Sequence, residues 1–211
     1  MYRLISATPS PYARKVRIAL AEKGIPFELL TEVPWNSDTA TPRHNPLEKL
    51  PVLIVDEATS VYESRFILEW IEAKHPGPAL MPREVDAMLE VKRLEVLGDG
   101  VCDACVLMFW ERARSPEKRS AEWSGRQARK VEGGLREMAR LLGERDWFVG
   151  GAFTYADIAV GSTVRYLDVR FPENEWRARY PNLVALSDRL EARPSFAATV
   201  PVAQVIQDKV A

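Results

Sequence analysis

The sequence predicts two domains of different class: a small α/β domain of order βαβ then ββα, followed by an all-helical domain. Three observations predict it. In residues 1–77, short β-prone runs alternate with two helical patterns; a proline-punctuated stretch from Pro76 to Pro82 then interrupts the chain; beyond it only helical periodicity remains. The expected boundaries are 1–77 for the α/β domain, 78–85 for the linker and 86–211 for the helical domain. At 211 residues and 46% hydrophobic content, length fits one large core or two small ones, so this internal organisation decides.

Tyr2 to Ser6 is a short β-prone run, ended by Ala7, Thr8 and Pro9. Ser10-Pro11 then supplies an N-cap followed by proline at the first helical position. Val16, Ala19, Leu20 and Lys23 recur at helical spacing until Gly24 stops the helix. Phe27 to Val33 reads as a second strand, and so short a strand-helix-strand unit implies parallel pairing through a right-handed crossover. Residues 34–46 are a polar, proline-rich loop. Val52 to Val55 and Thr59 to Tyr62, separated by a short acidic turn, read as an antiparallel hairpin. Ser64 is expected to cap a second helix whose pairs Phe66/Trp70 and Ile67/Ile71 lie against the sheet, until Pro76 ends it. This is the thioredoxin-like order.

In the second half, Leu94, Leu97, Val101, Cys105 and Met108 step by three, four, four and three, the stripe of a long amphipathic helix. Thr154-Tyr155-Ala156-Asp157 is a capping box with aspartate in place of glutamate, opening a helix through Leu167. A further helix is expected from about Pro181 to Arg193.

Composition excludes several classes of function. Lysine plus arginine number 29 against 30 acidic residues, and the split is even along the chain: 9 against 10 in residues 1–80, 20 against 20 after. With no basic half to neutralise phosphates, nucleic acid is not an expected partner. No run approaches the roughly 18 apolar residues of a membrane span, and the first residues lack a signal-like apolar core, so a cytoplasmic protein without membrane attachment is expected. Two cysteines are too few for a disulfide framework, in keeping with a reducing compartment.

Cys102-Asp103-Ala104-Cys105 has the spacing of a redox pair or half a zinc site. Its placement inside a long helical pattern, with Cys105 in the apolar stripe and no second ligand pair, favours two ordinary helix residues; no metal is expected. Ser10 stands at the junction of the first strand and helix, where its plainest role is the cap; no His/Asp constellation accompanies it to make a hydrolase nucleophile. Pro51 opens the third strand, where it costs no ladder hydrogen bond. Glu63-Ser64 stands at the next strand-to-helix junction, where helix N-H groups can receive a carboxylate.

Taken together, the segments Ser10 to Arg17, Glu22 to Glu28, Asn45-Pro46 through Leu53, and Glu63-Ser64 resemble the glutathione S-transferase superfamily, specifically bacterial-type members with serine at the activating position. The resemblance covers the first 80 residues closely and the remainder in architecture and at Thr154 to Asp157. It implies glutathione as co-substrate and no metal. Ser10 is expected to support the glutathione sulfur, a cis Pro51 lets Val52 present its backbone to the cysteinyl peptide, and Glu63 and Ser64 receive the γ-glutamyl end. Trp35, His44 and Lys49 are candidates toward the glycyl end, and Leu50 is counted with Pro51 and Val52 among the glutathione-binding residues. A small electrophile is expected between the domains near Tyr12, Met108, Phe109, Arg112 and Tyr166, and relatives imply a homodimer. A non-catalytic glutathione-binding or protein-interaction module, and a glutathione-dependent isomerase, dehalogenase or peroxidase, are the alternatives. One departure stands out: many relatives have glycine where this chain has Glu48.

Overall fold

Tyr2–Ser6 (β1), Phe27–Thr31 (β2), Val52–Ile54 (β3) and Ser60–Tyr62 (β4) form one sheet of order β2-β1-β3-β4. The structure, a computed structural model, describes residues 1–208. β1 pairs in parallel with β2, Ser6 opposite Thr31, and antiparallel with β3, Ile5 opposite Val52. β3 pairs antiparallel with β4, Val52 opposite Tyr62. The crossover between β1 and β2 is α1 (Pro11–Glu22), whose Val16, Ile18, Ala19 and Leu20 are buried. Gly24 at φ +64 turns the chain out of it, a conformation that L side chains avoid.

α2 (Ser64–Lys74) follows β4 directly. It buries Ser64, Ile67, Leu68 and Ile71, a stripe at three- and four-residue spacing. Phe66, expected against the sheet, is 55% exposed, because Leu68 rather than Phe66 completes the stripe of Ile67 and Ile71. Nor is Ser64 the cap: it is the first helical residue, and Glu63 occupies the cap position. Lys23 ties the two helices together. Its ammonium donates to the carbonyls of His75 at 2.8 Å and Pro78 at 2.7 Å and pairs with Glu72 at 2.8 Å, so a buried charge is fully engaged.

The chain divides into two units, residues 1–81 with 192–208, and residues 82–191. This corrects the expected boundaries at both ends. Lys23 holds Pro78, and Leu80 is buried, so these residues pack with the first unit rather than link it to the second. The last segment, expected in the helical domain, returns to α1. Arg193 grips Glu22 through two bonds of 2.9 and 2.7 Å, Ser195 adds a third, and Phe196 of the short α8 (Pro194–Ala197) is buried beneath the Arg14 guanidinium. Burial alone would raise the Glu22 carboxyl. The bonds from Arg193 and Ser195, with the Arg193 charge, outweigh it and hold the group below the ordinary carboxylate range.

The second unit is helical: α3 (Val85–Ala113), α4 (Ala121–Leu142), α5 (Tyr155–Arg170), α6 (Trp176–Arg179) and α7 (Pro181–Glu191). α3 carries the expected stripe, with Leu94, Val101 and Cys105 buried. Small residues let it approach its neighbours: a Cβ on Gly134 of α4 would lie 2.2 Å from Val101, and one on Gly98 would lie 3.1 Å from Thr163 of α5. The expected capping box is present. Thr154 caps α5, and the Asp157 carboxylate accepts from Thr154 N at 2.8 Å, Thr154 Oγ1 at 3.1 Å and Phe148 N at 3.0 Å. Burial pushes the Asp157 carboxyl up, against these bonds. No helix among the described residues is long and apolar enough to cross a membrane.

Candidate functional site

Strand register brings the candidate residues of the first unit to one edge. β1 ends at Ser6, β2 ends opposite it at Thr31, β3 begins at Val52 opposite Ile5, and β4 ends at Tyr62 opposite Val52. The loop to Ser10, the loop to Trp35, the entry through Pro51 and the junction Glu63-Ser64 therefore all leave the same end of the sheet.

Ser10 is half-buried with extended backbone, and its Oγ accepts from Ala13 N at 3.2 Å, so the expected cap is present. Capping does not consume the hydroxyl. The oxygen accepts one bond while its hydrogen remains available to donate, and no acceptor for it stands among the described residues. A thiolate at this position would complete the valence.

The Leu50–Pro51 peptide bond is cis, and Pro51 and Val52 are buried. Leu50 is half-buried, its side chain packed on the cluster of Ile5, Val52 and Ile54. Glu63 adopts φ +70, uncommon for a non-glycine residue, and its carboxylate is exposed, making no cap bond to α2. α2 therefore begins without a side-chain cap, with the buried Ser64 hydroxyl 3.5 Å from Glu63 Oε1. Helix N-H groups and a hydroxyl can receive a carboxylate, and the carboxylate alongside can pair with an ammonium.

The loop between β2 and β3 carries the remaining candidates. Trp35 and Lys49 are exposed; His44 meets Ser60 Oγ through Nδ1 at 3.3 Å. Asn45 is buried and shapes the turn, donating to the Lys49 carbonyl at 2.7 Å and accepting from Leu47 N at 2.9 Å. Glu48 sits inside that turn at φ +55, the left-handed region that glycine enters without penalty. The turn thus forms in this chain despite the side chain, at a cost of about 1 kcal/mol. Glu48→Gly is expected to stabilise the protein by about 0.5 kcal/mol, a melting rise of roughly 1 to 2 °C by calorimetry. A fall in stability would show that the Glu48 side chain contributes to the loop.

Sequence reasoning missed the residues that frame this edge. The Glu32 carboxylate organises the loop by accepting from Ala40 N at 3.1 Å, Thr41 N at 3.2 Å and Thr41 Oγ1 at 2.9 Å. The returning C-terminal segment bonds Thr8 Oγ1 through the Val202 carbonyl at 2.7 Å, and Gln207 N meets Asn36 Oδ1 at 3.0 Å. Threonines at 39 and 41 were a faint signal for the first; contacts spanning about 170–195 residues had none.

The helical unit separates the expected electrophile residues. Met108 and Arg112 line a cavity of about 330 Å³ with Cys105, Leu167 and Phe171. Arg112 lies 4.4 Å over Phe171 and pairs with Glu173 at 2.5 Å. Phe109 and Tyr166 belong to another cluster, around Arg170, whose guanidinium stands 4.3 Å from the Phe109 ring. Burial pushes the Tyr166 phenol up to about 12. Tyr12, in the first unit, is half-buried on α1, its ring 6.0 Å from the Lys15 ammonium. Cys102 and Cys105 are free and buried, Cys102 Sγ 3.4 Å from Thr163 Oγ1. Burial pushes the Cys105 thiol up to about 12, which keeps it an unreactive thiol. No group of three or more histidine, cysteine or acidic side chains able to hold a metal stands among the described residues.

The family pattern for the glutathione S-transferase N-terminal domain matches residues 9–74, and that for the C-terminal domain matches residues 121–189. A glutathione S-transferase from Methylobacterium radiotolerans, crystallised with glutathione sulfonate, is 67% identical; the match covers 100% of this chain and 99% of that one, with a TM-score of 0.98. A second, from Methylobacillus flagellatus with glutathione bound, is 39% identical over 96% of this chain and 100% of that one, with a TM-score of 0.93. An uncharacterised GST-like protein of Escherichia coli is 35% identical over 94% of this chain and 98% of its own length.

Proposed function

The chain belongs to the glutathione S-transferase superfamily, and on that premise we propose that it is a cytoplasmic glutathione transferase in which Ser10 stabilises the thiolate of bound glutathione for attack on a small electrophile. The observation that carries the reading is the Ser10 hydroxyl, which caps α1 through its oxygen and keeps its proton to donate. A free thiol of pKa about 8.5 is only a few per cent thiolate at pH 7. A hydrogen bond to the thiolate of roughly 1.5 to 3 kcal/mol lowers that pKa by one to two units and makes thiolate a major species.

The other residues bind and orient. Glu63 and Ser64, with the start of α2, take the γ-glutamyl head; the Val52 backbone, entered through Leu50 and cis Pro51, meets the cysteinyl peptide; Trp35, His44 and Lys49 serve the glycyl end. Tyr12, Phe109 and Tyr166 are assigned to the electrophile, whereas Met108 and Arg112, expected beside them, line a separate cavity of the helical unit. Two free, buried cysteines are compatible with the reducing compartment where glutathione abounds.

The test is a glutathione titration followed by turnover on a panel of electrophiles. At ten times its dissociation constant, glutathione should add about 1.4 kcal/mol and raise the melting temperature by roughly 3 to 6 °C. No shift at millimolar glutathione, with no heat of binding, would sink the reading; binding without turnover on any electrophile would make the protein a non-catalytic module.

The functional assembly is proposed to be a two-fold homodimer. Its support is exposed apolar surface: Phe66 on α2, and Val85, Leu89 and Val96 at helical spacing on α3. Sedimentation is expected to give twice the 23.9 kDa chain mass. A 23.9 kDa species at tens of micromolar would refute it.

A further inference from the structure

Arg170 closes α5 beside two of the residues assigned to the electrophile. Its guanidinium lies 4.3 Å over Phe109, and its positive charge acts on the buried Tyr166 phenol. Neighbouring arginines of the helical unit each have a carboxylate: Arg165 meets Asp168 at 3.2 Å, Arg177 meets the same residue at 2.6 Å, and Arg112 meets Glu173 at 2.5 Å. Arg170 has no carboxylate partner among the described residues, and its Nε is buried without an acceptor. A half-buried cation left this way is costly.

Two features offset part of that cost. The C-terminal end of α5 contributes a partial negative charge, and the Phe109 face attracts a cation. Neither is a full negative charge. The guanidinium fork is made for a carboxylate, which it can bind through two parallel bonds. Tyr166 fits the same ligand: its buried phenol, pushed up to about 12, stays protonated at neutral pH and has an O-H to donate.

We propose that Arg170 is a specificity-determining residue that binds a carboxylate on the electrophile, with Phe109 holding the guanidinium and Tyr166 adding a second donor, so that the preferred substrates are anionic electrophiles. The inference rests on the reading that Phe109 and Tyr166 face the electrophile, and it goes beyond that reading in naming the substrate class.

Equilibrium binding tests it without any need for turnover. Calorimetry on the full chain compares S-(4-carboxybenzyl)glutathione with its neutral isostere S-(4-carbamoylbenzyl)glutathione, and with glutathione itself. The carboxylate should bind about tenfold more tightly than the amide. Arg170→Gln should abolish that preference while leaving glutathione affinity within about twofold, and Arg170→Lys should keep part of it. If the chain binds glutathione but the two conjugates bind equally, or if Arg170→Gln keeps the preference, the proposal is overturned and Arg170 is only a helix C-terminal charge. A lowered melting temperature with unchanged selectivity is the mark of that case. If glutathione itself does not bind, the transferase reading falls, and this inference with it.

Discussion

Ser10→Ala is expected to raise the pKa of bound glutathione by one to two units and to lower turnover by roughly ten- to a hundredfold, with affinity for the rest of the tripeptide largely intact. The substitution removes two things at once, because Ser10 Oγ also accepts from Ala13 N. Loss of the cap should cost about 1 kcal/mol, a melting decrease of roughly 2 to 4 °C. Loss of the proton donor should appear only in the thiol. Ser10→Asp separates them: it keeps a cap acceptor at the start of α1 but sets a negative charge against the thiolate, so stability is retained while turnover falls at least as far as in the alanine variant. Ser10→Cys places a thiol at a helix N-terminus, where its pKa drops, and should form a mixed disulfide with glutathione visible by mass spectrometry. Full activity in Ser10→Ala with an unmoved thiol pKa would reduce Ser10 to a helix cap, and the activating group would then be sought at Thr8 or Tyr12.

The largest loss of stability is expected from Asp157→Ala. This carboxylate is fully buried and satisfies the N-H groups of Thr154 and Phe148 and the Thr154 hydroxyl. Alanine leaves three donors without that acceptor, and each costs about 1 to 3 kcal/mol when buried. Some of these will find water, so the net loss should be about 3 kcal/mol, a melting decrease of roughly 6 to 12 °C by calorimetry. Asp157→Asn keeps one carbonyl oxygen but turns an amide group toward a donor, so it should lose about half as much. A loss below about 1 kcal/mol for the alanine variant would show that the loop before α5 is held elsewhere. Glutathione affinity should follow only the folded fraction, since Asp157 lies in the helical unit and makes its bonds there.

Several elements were legible because their signals are local. Ser10-Pro11 announced the start of α1 and Gly24 its end, and Thr154 with Asp157 announced α5; each depends on bonds between residues a few positions apart. Glu63-Ser64 was found, but its geometry was misread. The serine looked like the cap, whereas Glu63 holds that position at a positive φ, which no propensity scale favours. Phe66 was assigned inward because it pairs with Trp70 at helical spacing; Leu68, one face round, was the residue buried.

By itself the sequence determined the order βαβ-ββα, the helical second half and the caps that open α1 and α5, because caps, turns and periodic apolar positions act over a few residues. Tertiary structure alone decided the rest. The register of β1 against β3, and of β3 against β4, carries Ser10, Val52 and Glu63 to one end of the sheet from positions some 50 residues apart. The return of residues 192–208 to α1 depends on Glu22 meeting Arg193, and the isolation of Arg170 depends on which acids its neighbours take. Pairings of this kind are chosen by burial and charge among many chemically equivalent side chains, and distance along the chain carries no record of the choice.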